Sequence, residues 1–271
     1  MNMNKNSITV GIPFYNKTNA QYFDSAINSI INQTLLPEKI HLIQDGEINE
    51  SLMKIVRNYK EKYPIITLIS LPKKGLPYAL NESIKQSNTK YYARMDSDDI
   101  AIKNRFEFQI EFFNKNPNLE ILGTWAYEFE NDYKNESFYI NKTPIKKKDI
   151  ESYIHYRNPL VHPSVMFKIS VFDKIGYYNE KMYTDQDLEL WGRALKNKIN
   201  ISNIQKPLIF LRIENRLIRR SQFSAIRRQI LIRYSYNTSS FRLNVLKLAS
   251  IIIRILPIRI RDWCYKNLRS F

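Results

Sequence analysis

Runs of β-branched and other apolar residues alternate with helix-like stretches over roughly the first 125 residues. The predicted strands, each short and apolar, are 8–12, 39–43, 65–69 and 91–95. The stretches between them have apolar residues at steps of three and four, and two predicted helices are 49–62 and 77–86. Strands and helices in this order predict an α/β fold with a mainly parallel, doubly wound sheet.

Polar residues follow three of these predicted strands. Asn16, Asp45 and Asp96 stand where the first, second and fourth strands end, and ligands of such sheets bind at the carboxyl ends of strands. Asp96 opens the acidic run Asp96-Ser97-Asp98-Asp99, in which three carboxylates repel one another. The run by itself leaves two interpretations open, a site for a hard cation such as Mg²⁺ or Mn²⁺ or a cap on the next helix.

Composition favours an ordered cytoplasmic protein. The chain has 271 residues, of which 44% are hydrophobic, enough for a sizeable core. The lone cysteine, Cys264, cannot form an intrachain disulfide. No signal-peptide pattern opens the sequence, and Lys247, Arg254 and Pro257 interrupt the apolar stretch near the C-terminus.

Positive charge is concentrated at the C-terminal end. Residues 216–271 contain 13 lysines and arginines and one acid, so twelve of the sixteen net charges fall there. Apolar residues and arginines interleave in three segments, with Trp263 and Tyr265 near the end. Two interpretations stay open: amphipathic helices lying on an anionic membrane, or helices packed on the core with basic outer faces. From these patterns, the expected division is a main folded part over 1–215, with a regular half over 1–125 and a less regular half over 126–215, and a membrane-associating part over 216–271.

Several motifs, in this order, resemble family 2 glycosyltransferases, which have a GT-A fold. They cover roughly residues 7–215 and read Pro13-Phe14-Tyr15-Asn16, Ser29-Ile30-Ile31-Asn32-Gln33-Thr34, Asp45-Gly46 and Asp96-Ser97-Asp98-Asp99. The segment from Ala93 to Asp99, followed by Asn104-Arg105-Phe106, is most similar to the bacterial capsule and O-antigen branch. One departure is Leu80, at a position where the family often has arginine.

The resemblance implies a UDP-sugar donor and a Mn²⁺ or Mg²⁺ cofactor. Asp98 would bind the metal that bridges the diphosphate, and Asp96 would meet the ribose or the sugar. Asp99 would support either role, and Arg94 would pair with the acidic run or touch the donor. The base pocket would be formed by Pro13, Tyr15 and Asn16, with Asp45 hydrogen-bonded to the uracil.

The second half of the site is expected to supply the base that an inverting transfer requires. The segment 184–191 resembles the family's Glu-Asp-x-x-Leu-Trp motif and, aligned on Trp191, places Asp187 at the catalytic aspartate, with Gln186 in place of the usual Glu. Asp185 is the rival base, and both acids could instead cap the helix. Trp191 would either stack on a sugar or belong to the core.

Further candidates come from a loop and from arginines that follow a predicted strand. His162 lies in the segment 158–164, which also resembles the branch, and would contact a phosphate or hydroxyl or make the loop rigid. Arg212, Arg216 and Arg219 would close over the diphosphate, since arginine suits phosphate, or belong to a solvated basic helix.

The predicted function is an inverting transfer of a hexose, glucose or galactose, from a UDP-sugar to an undecaprenyl-diphosphate-linked saccharide during bacterial surface-polysaccharide synthesis. The protein would lie peripherally on the inner face of the cytoplasmic membrane. Two alternatives are a catalytically inactive relative acting as a scaffold and a nucleic-acid-binding protein. The intact acidic residues argue against the first, and the terminal position of the charge, without a nucleic-acid-binding module, argues against the second.

Overall fold

The computed structural model describes residues 7–130, 133, 138–182, 184–213 and 223–267. Its strands are β1 Ile8–Phe14, β2 Lys39–Asp45, β3 Ile66–Leu71, β4 Tyr91–Arg94, β5 Ile100–Ala101, β6 Ile121–Phe129, β7 Tyr139–Asn141, β8 Met166–Lys168 and β9 Ile201–Arg212. Its helices are α1 Ala20–Ile31, α2 Glu50–Lys62, α3 Leu76–Lys85, α4 Arg105–Lys115, α5 Lys147–Tyr153, α6 Val171–Ile175, α7 Gln186–Lys196, α8 Phe223–Tyr234, α9 Phe241–Ile255 and α10 Ile258–Asn267.

The strands form one mixed sheet in the order β3-β2-β1-β4-β8-β6-β9-β5, with β7 beside β6. The first four strands of this order are parallel, as are β6 and β9, whereas β8 runs antiparallel to both of its neighbours. The predicted α/β fold with a mainly parallel sheet is therefore confirmed.

Helices cover both faces of the sheet. Phe23 of α1, Leu52 of α2 and Phe106 of α4 belong to one buried cluster. Leu80 of α3 and Trp191 of α7 belong to the other. Each cluster uses the apolar side of an amphipathic helix, which is why the helical spacing in the sequence located α1, α2 and α3.

The sheet brings three loop positions to one edge. Because β2, β1 and β4 are parallel neighbours, the residues after them meet at the same end of the sheet. The chain turns sharply after Asp45, where Gly46 has a φ of 84° and an added Cβ would lie 2.8 Å from the Cβ of Lys73. Glycine is needed at this turn, which fixes the position of Asp45.

The apolar pattern of the sequence did not predict β6. Polar residues interrupt the apolar run of β6, yet Thr124 and Glu128 are both buried. Glu128 is paired by a hydrogen bond from Asn141 Nδ2 on β7 (2.8 Å). The strand therefore depends on cross-strand partners that a local pattern does not reveal.

The C-terminal helices pack against the catalytic part. Arg233 of α8 is buried and donates to the carbonyl of Ile154 (3.0 Å), and the buried Lys247 of α9 donates to the carbonyl of Arg233 (2.9 Å). Packing on the core, one of the two interpretations left open, is therefore observed. Large apolar side chains on these helices are nevertheless exposed, including Leu231, Phe241, Leu248, Ile255 and Trp263. Within the described ranges, no helix is both long and apolar enough to cross a bilayer.

Candidate active site

The acidic run forms a compact group of carboxylates after β4. Asp96, Asp98 and Asp99 each offer an oxygen within 4.8 Å of the others. Asp96 is ion-paired with the buried Arg94, whose Nη1 lies 2.7 Å from Asp96 Oδ2. Asp99 is buried; its Oδ1 accepts from the backbone N–H of Arg212 (2.8 Å), and its Oδ2 has no hydrogen-bond partner among the described residues.

Burial and mutual repulsion make this group unfavourable in its fully ionised form. Burial is the main cause that raises the pKa of Asp98 to about 6, and the negative charge of Asp96 is the second. Burial and the charge of Asp98 raise the pKa of Asp99 well above its ordinary value. A divalent cation would relieve the repulsion and bind the Asp99 oxygen that has no hydrogen-bond partner. Mg²⁺ and Mn²⁺ prefer such oxygen ligands. The residues present therefore fit the predicted cofactor.

A buried arginine supports the strand that carries the acidic run. Arg105 donates from Nη2 to the carbonyl of Arg94 (2.9 Å) and from Nε to Gln109 (3.1 Å), and burial lowers its pKa to about 9. Gln109 in turn donates to the carbonyl of Ser164 (2.9 Å), next to the loop that carries His162. The sequence motif around Arg105 gave a signal for this residue without indicating its role.

The residues predicted to bind the nucleotide lie at the ends of β1 and β2. Tyr15 is 46% exposed and Asn16 is also exposed, so both can reach a ligand. Asp45 accepts hydrogen bonds from the backbone N–H groups of Lys74 (2.8 Å) and Gly75 (3.1 Å), which leaves lone pairs for a further donor. Pro13 is buried inside β1, and its part in forming the base pocket stays a prediction.

Asp187 and Asp185 have different surroundings at the start of α7. Asp187 Oδ2 accepts from Asn158 Nδ2 (2.5 Å), and burial together with the charge of Asp185 raises its pKa. Asp185 has a left-handed φ of 60° and accepts from Gln229 of α8 (2.5 Å). Although Asp185 occupies the cap position, its side chain makes no capping hydrogen bond, so that alternative is wrong for this residue.

His162 and Trp191 are interior residues. His162 Nε2 shares a hydrogen bond with the hydroxyl of Tyr178 (2.9 Å), and burial lowers the pKa of His162 well below its ordinary value, so the ring is neutral. Trp191 is fully buried and stacks on Phe167 with ring centroids 5.8 Å apart. The idea that Trp191 stacks on a sugar is therefore wrong, because core side chains cover its ring.

One cavity of about 510 Å³ is lined both by Asp96 of the acidic run and by Asp185 and Asp187 at the start of α7. Asp96 and Arg94 line it from β4 and the following loop, and Asp185 and Asp187 line it from α7 and the residue before it. His162 and Arg212 also reach its wall, and Arg212 Nε donates to the carbonyl of Asp98 (3.2 Å). The candidates Arg216 and Arg219 lie outside the described residues.

Residues that sequence reasoning did not assign come from distant parts of the chain. Asn158 donates a hydrogen bond to Asp187, which is 29 residues away in the sequence, and Gln229 donates one to Asp185, which is 44 residues away. Arg233, Arg254 and Arg261 of the C-terminal helices line the same cavity. Asn158 lies in the same sequence motif as His162, which is a partial signal for it, whereas no motif points to Gln229.

Known proteins resemble this chain over most of its length. It is 31% identical over 267 residues to the Escherichia coli UDP-Gal:alpha-D-GlcNAc-diphosphoundecaprenol beta-1,3-galactosyltransferase, covering 96% of this chain and 95% of the relative. It is 26% identical over 267 residues to the amylovoran biosynthesis glycosyltransferase AmsE of Erwinia amylovora, covering 97% and 99%.

Solved structures share the fold. The crystal structure of S. aureus TarS 1-349 in complex with UDP-GlcNAc matches with a TM-score of 0.67 and 17% identity, over 92% of this chain and 72% of that one. The mannosyltransferase PcManGT of Pyrobaculum calidifontis, in complex with GDP-Man and Mn2+, matches with a TM-score of 0.58 and 14% identity, over 93% and 70%. The predicted GT-A fold is confirmed. The model of the family "Glycosyl transferase family 2" matches residues 9–176, and the chain belongs to that family and is a glycosyltransferase.

Proposed function

We propose that this enzyme transfers galactose, or else glucose, with inversion from a UDP-sugar to a saccharide on a lipid diphosphate, as a step in surface-polysaccharide synthesis. The observation that carries the proposal is the single cavity lined by both Asp96 and Asp187. A donor held at the acidic run and an acceptor held at Asp187 would meet inside it. The relative that uses UDP-Gal and a GlcNAc-diphosphoundecaprenol acceptor supports the choice of substrates.

Each group of residues has a chemical task in this proposal. Tyr15, Asn16 and Asp45 bind the nucleotide end of the donor, and Asp96 orients the ribose or sugar end while Arg94 holds Asp96 in place. Asp98 and Asp99 hold a divalent cation, whose chemistry is to neutralise charge on the leaving diphosphate.

Asp187 takes the proton from the acceptor hydroxyl. Burial raises the pKa of Asp187, which makes the carboxylate a stronger base, and Asn158 fixes its orientation. As the new glycosidic bond forms on one face of the sugar, the bond to the diphosphate breaks on the opposite face. This geometry inverts the anomeric carbon.

The proposed location is the inner face of the cytoplasmic membrane, where a lipid-linked acceptor and a nucleotide sugar can both reach the enzyme. Exposed apolar residues of α8–α10 stand beside many basic ones, the combination that binds anionic membrane surfaces.

A donor screen tests the proposal. The full chain would be incubated with UDP-galactose, UDP-glucose, UDP-GlcNAc and GDP-mannose, with or without Mn²⁺, and with a GlcNAc-diphosphate-alkyl acceptor. We expect Mn²⁺-dependent transfer from a UDP-hexose and a product whose anomeric configuration, measured by NMR, is opposite to that of the donor. Retention of configuration, or transfer that is unaffected by chelation of divalent metals, would contradict it.

A further inference from the structure

The cavity that contains Asp187 has a second, basic part. Five cationic side chains line it from the segment before Asn158 and from α8–α10: Lys142, Arg157, Arg233, Arg254 and Arg261. The other two cationic lining residues, Arg94 and Arg212, contact the acidic run instead. The C-terminal helices therefore bring positive charge into the part of the cavity that the donor site does not use.

Arg261 is the most informative member of this group. The residue is only 7% exposed, yet its Nε and Nη1 atoms are buried and have no hydrogen-bond partner in the described part of the chain. Two buried guanidinium nitrogens without acceptors are unfavourable, and buried polar groups are almost always paired. An anionic ligand in the cavity would supply the missing acceptors.

Arg254 and Arg233 increase the positive charge at this place. Arg233 is satisfied by Gln229 and by the carbonyl of Ile154, so it fixes α8 to the catalytic part. Arg233 and Arg254 line the same cavity, and burial together with the charge of Arg254 lowers the pKa of Arg233 to about 10. A cluster of like charges at a cavity wall favours a multiply charged anion.

We propose that this basic part is the subsite for the diphosphate of the acceptor, with Arg261 as its main contact and Arg254 beside it. The inference rests on the proposed function, since the acceptor must place a sugar hydroxyl at Asp187 in the same cavity. Arginine suits phosphate oxygens because its planar group donates two parallel hydrogen bonds. The basic helices then recognise the substrate as well as the membrane.

The burial of Arg261 favours the acceptor over a phospholipid headgroup. Headgroups of a bilayer lie at the surface, whereas Arg261 lies inside the cavity. The lipid chain of the acceptor has a route outward along α9, where Ile253 lines the cavity and Ile252 and Ile255 are exposed.

Acceptor kinetics of two variants test the subsite. Arg261→Gln is compared with Arg259→Gln, because Arg259 is an exposed arginine on the same helix and does not line the cavity. With a GlcNAc-diphosphate-alkyl acceptor, Arg261→Gln should raise the acceptor KM about 10- to 100-fold and leave the UDP-galactose KM unchanged. With a neutral GlcNAc alkyl glycoside, Arg261→Gln and the wild type should have equal kcat/KM. An unchanged KM for the diphosphate acceptor, or an equal loss on the neutral one, overturns the proposal.

Alkylation of Cys264 gives a measurement that does not need turnover. Cys264 lies one turn after Arg261, lines the same cavity and is the only cysteine of the chain. The GlcNAc-diphosphate-alkyl acceptor should slow its reaction with iodoacetamide in the wild type and in Arg259→Gln, but not in Arg261→Gln. Protection without transfer would refute the proposed function and leave the subsite, whereas transfer without protection and with an unchanged KM would refute the subsite.

Two further results would overturn the assignment. Phosphatidylglycerol vesicles that protect Cys264, when the soluble acceptor does not, would assign Arg261 to a lipid headgroup. A lower melting temperature for Arg261→Gln would assign it a structural role, because removing a buried charge with two unpaired nitrogens should leave stability equal or higher.

Discussion

Removal of the Asn158 side chain should change the pH at which the enzyme works. Asn158 Nδ2 donates to the half-buried Asp187 carboxylate (2.5 Å), and this hydrogen bond lowers the pKa of Asp187 against the raising effect of burial. A hydrogen bond to a charged group contributes about 1.5–3 kcal/mol, and about 1.4 kcal/mol corresponds to one pKa unit. Asn158→Ala should therefore raise the pKa of Asp187 by about 1–2 units.

The direction of the change follows from the role of Asp187. The ionised carboxylate is the base, so activity is lost as the pH falls through its pKa, and a higher pKa moves this loss to higher pH. The acid limb of the kcat profile, measured at saturating donor and acceptor over about pH 5–9, reports the pKa in the enzyme–substrate complex. It should move up by about 1–2 pH units in Asn158→Ala.

Asn141→Ala is the matched control, because Asn141 lines the same cavity and donates to Glu128 Oε1 (2.8 Å) without touching Asp187. Its acid limb should stay at the wild-type position. If the acid limb of Asn158→Ala also stays in place or moves to lower pH, the titrating group is not Asp187 and the reasoning is refuted.

Three further predictions concern the metal site and the membrane. Asp98→Ala should abolish transfer and Mn²⁺-dependent UDP binding in calorimetry; normal activity would remove the metal assignment. Because the pKa of Asp98 is raised to about 6 in the folded protein, the native state binds more protons than the unfolded state between about pH 4 and pH 6. Metal-free stability should therefore fall as the pH rises across this interval, and Mn²⁺ should reverse the fall in a thermal-shift assay; an unchanged slope in Asp98→Asn would contradict this. The double substitution Phe241→Ser and Trp263→Ser should reduce sedimentation with anionic vesicles about tenfold. Leu36 is also exposed but lies on the catalytic part, so Leu36→Ser should leave sedimentation unchanged. An equal loss in the double variant and in Leu36→Ser would contradict membrane binding by the tail.

The nucleotide half of the fold could be predicted because its signals are local. Strands β1 to β4 are short apolar runs, and α1 to α3 bury one helical face, so composition and spacing located them. The ends of β1, β2 and β4 then located Asn16, Asp45 and Asp96. In the middle of the chain, β6 carries buried polar residues such as Glu128, whose partner lies on another strand, and the local pattern failed.

The acceptor half of the site depends on contacts between distant residues. Asn158, Gln229 and Arg261 meet the cavity from three separate segments, and no spacing in the sequence connects them with Asp187. The charge of the basic tail fits both membrane binding and packing on the core, and charge alone cannot distinguish an exposed arginine such as Arg259 from the buried Arg261.

The most direct test of the account separates donor binding from turnover in Asp187→Asn. Asp187 acts on the acceptor hydroxyl and not on the nucleotide, so UDP-galactose binding in the presence of Mn²⁺, measured by calorimetry, should equal that of the wild type. The kcat for transfer to the GlcNAc-diphosphate-alkyl acceptor should fall about 10²- to 10⁴-fold, as expected when a general base is removed. Normal transfer by Asp187→Asn together with loss of transfer by Asp185→Asn would contradict the account, and so would an equal loss of binding and turnover in Asp187→Asn.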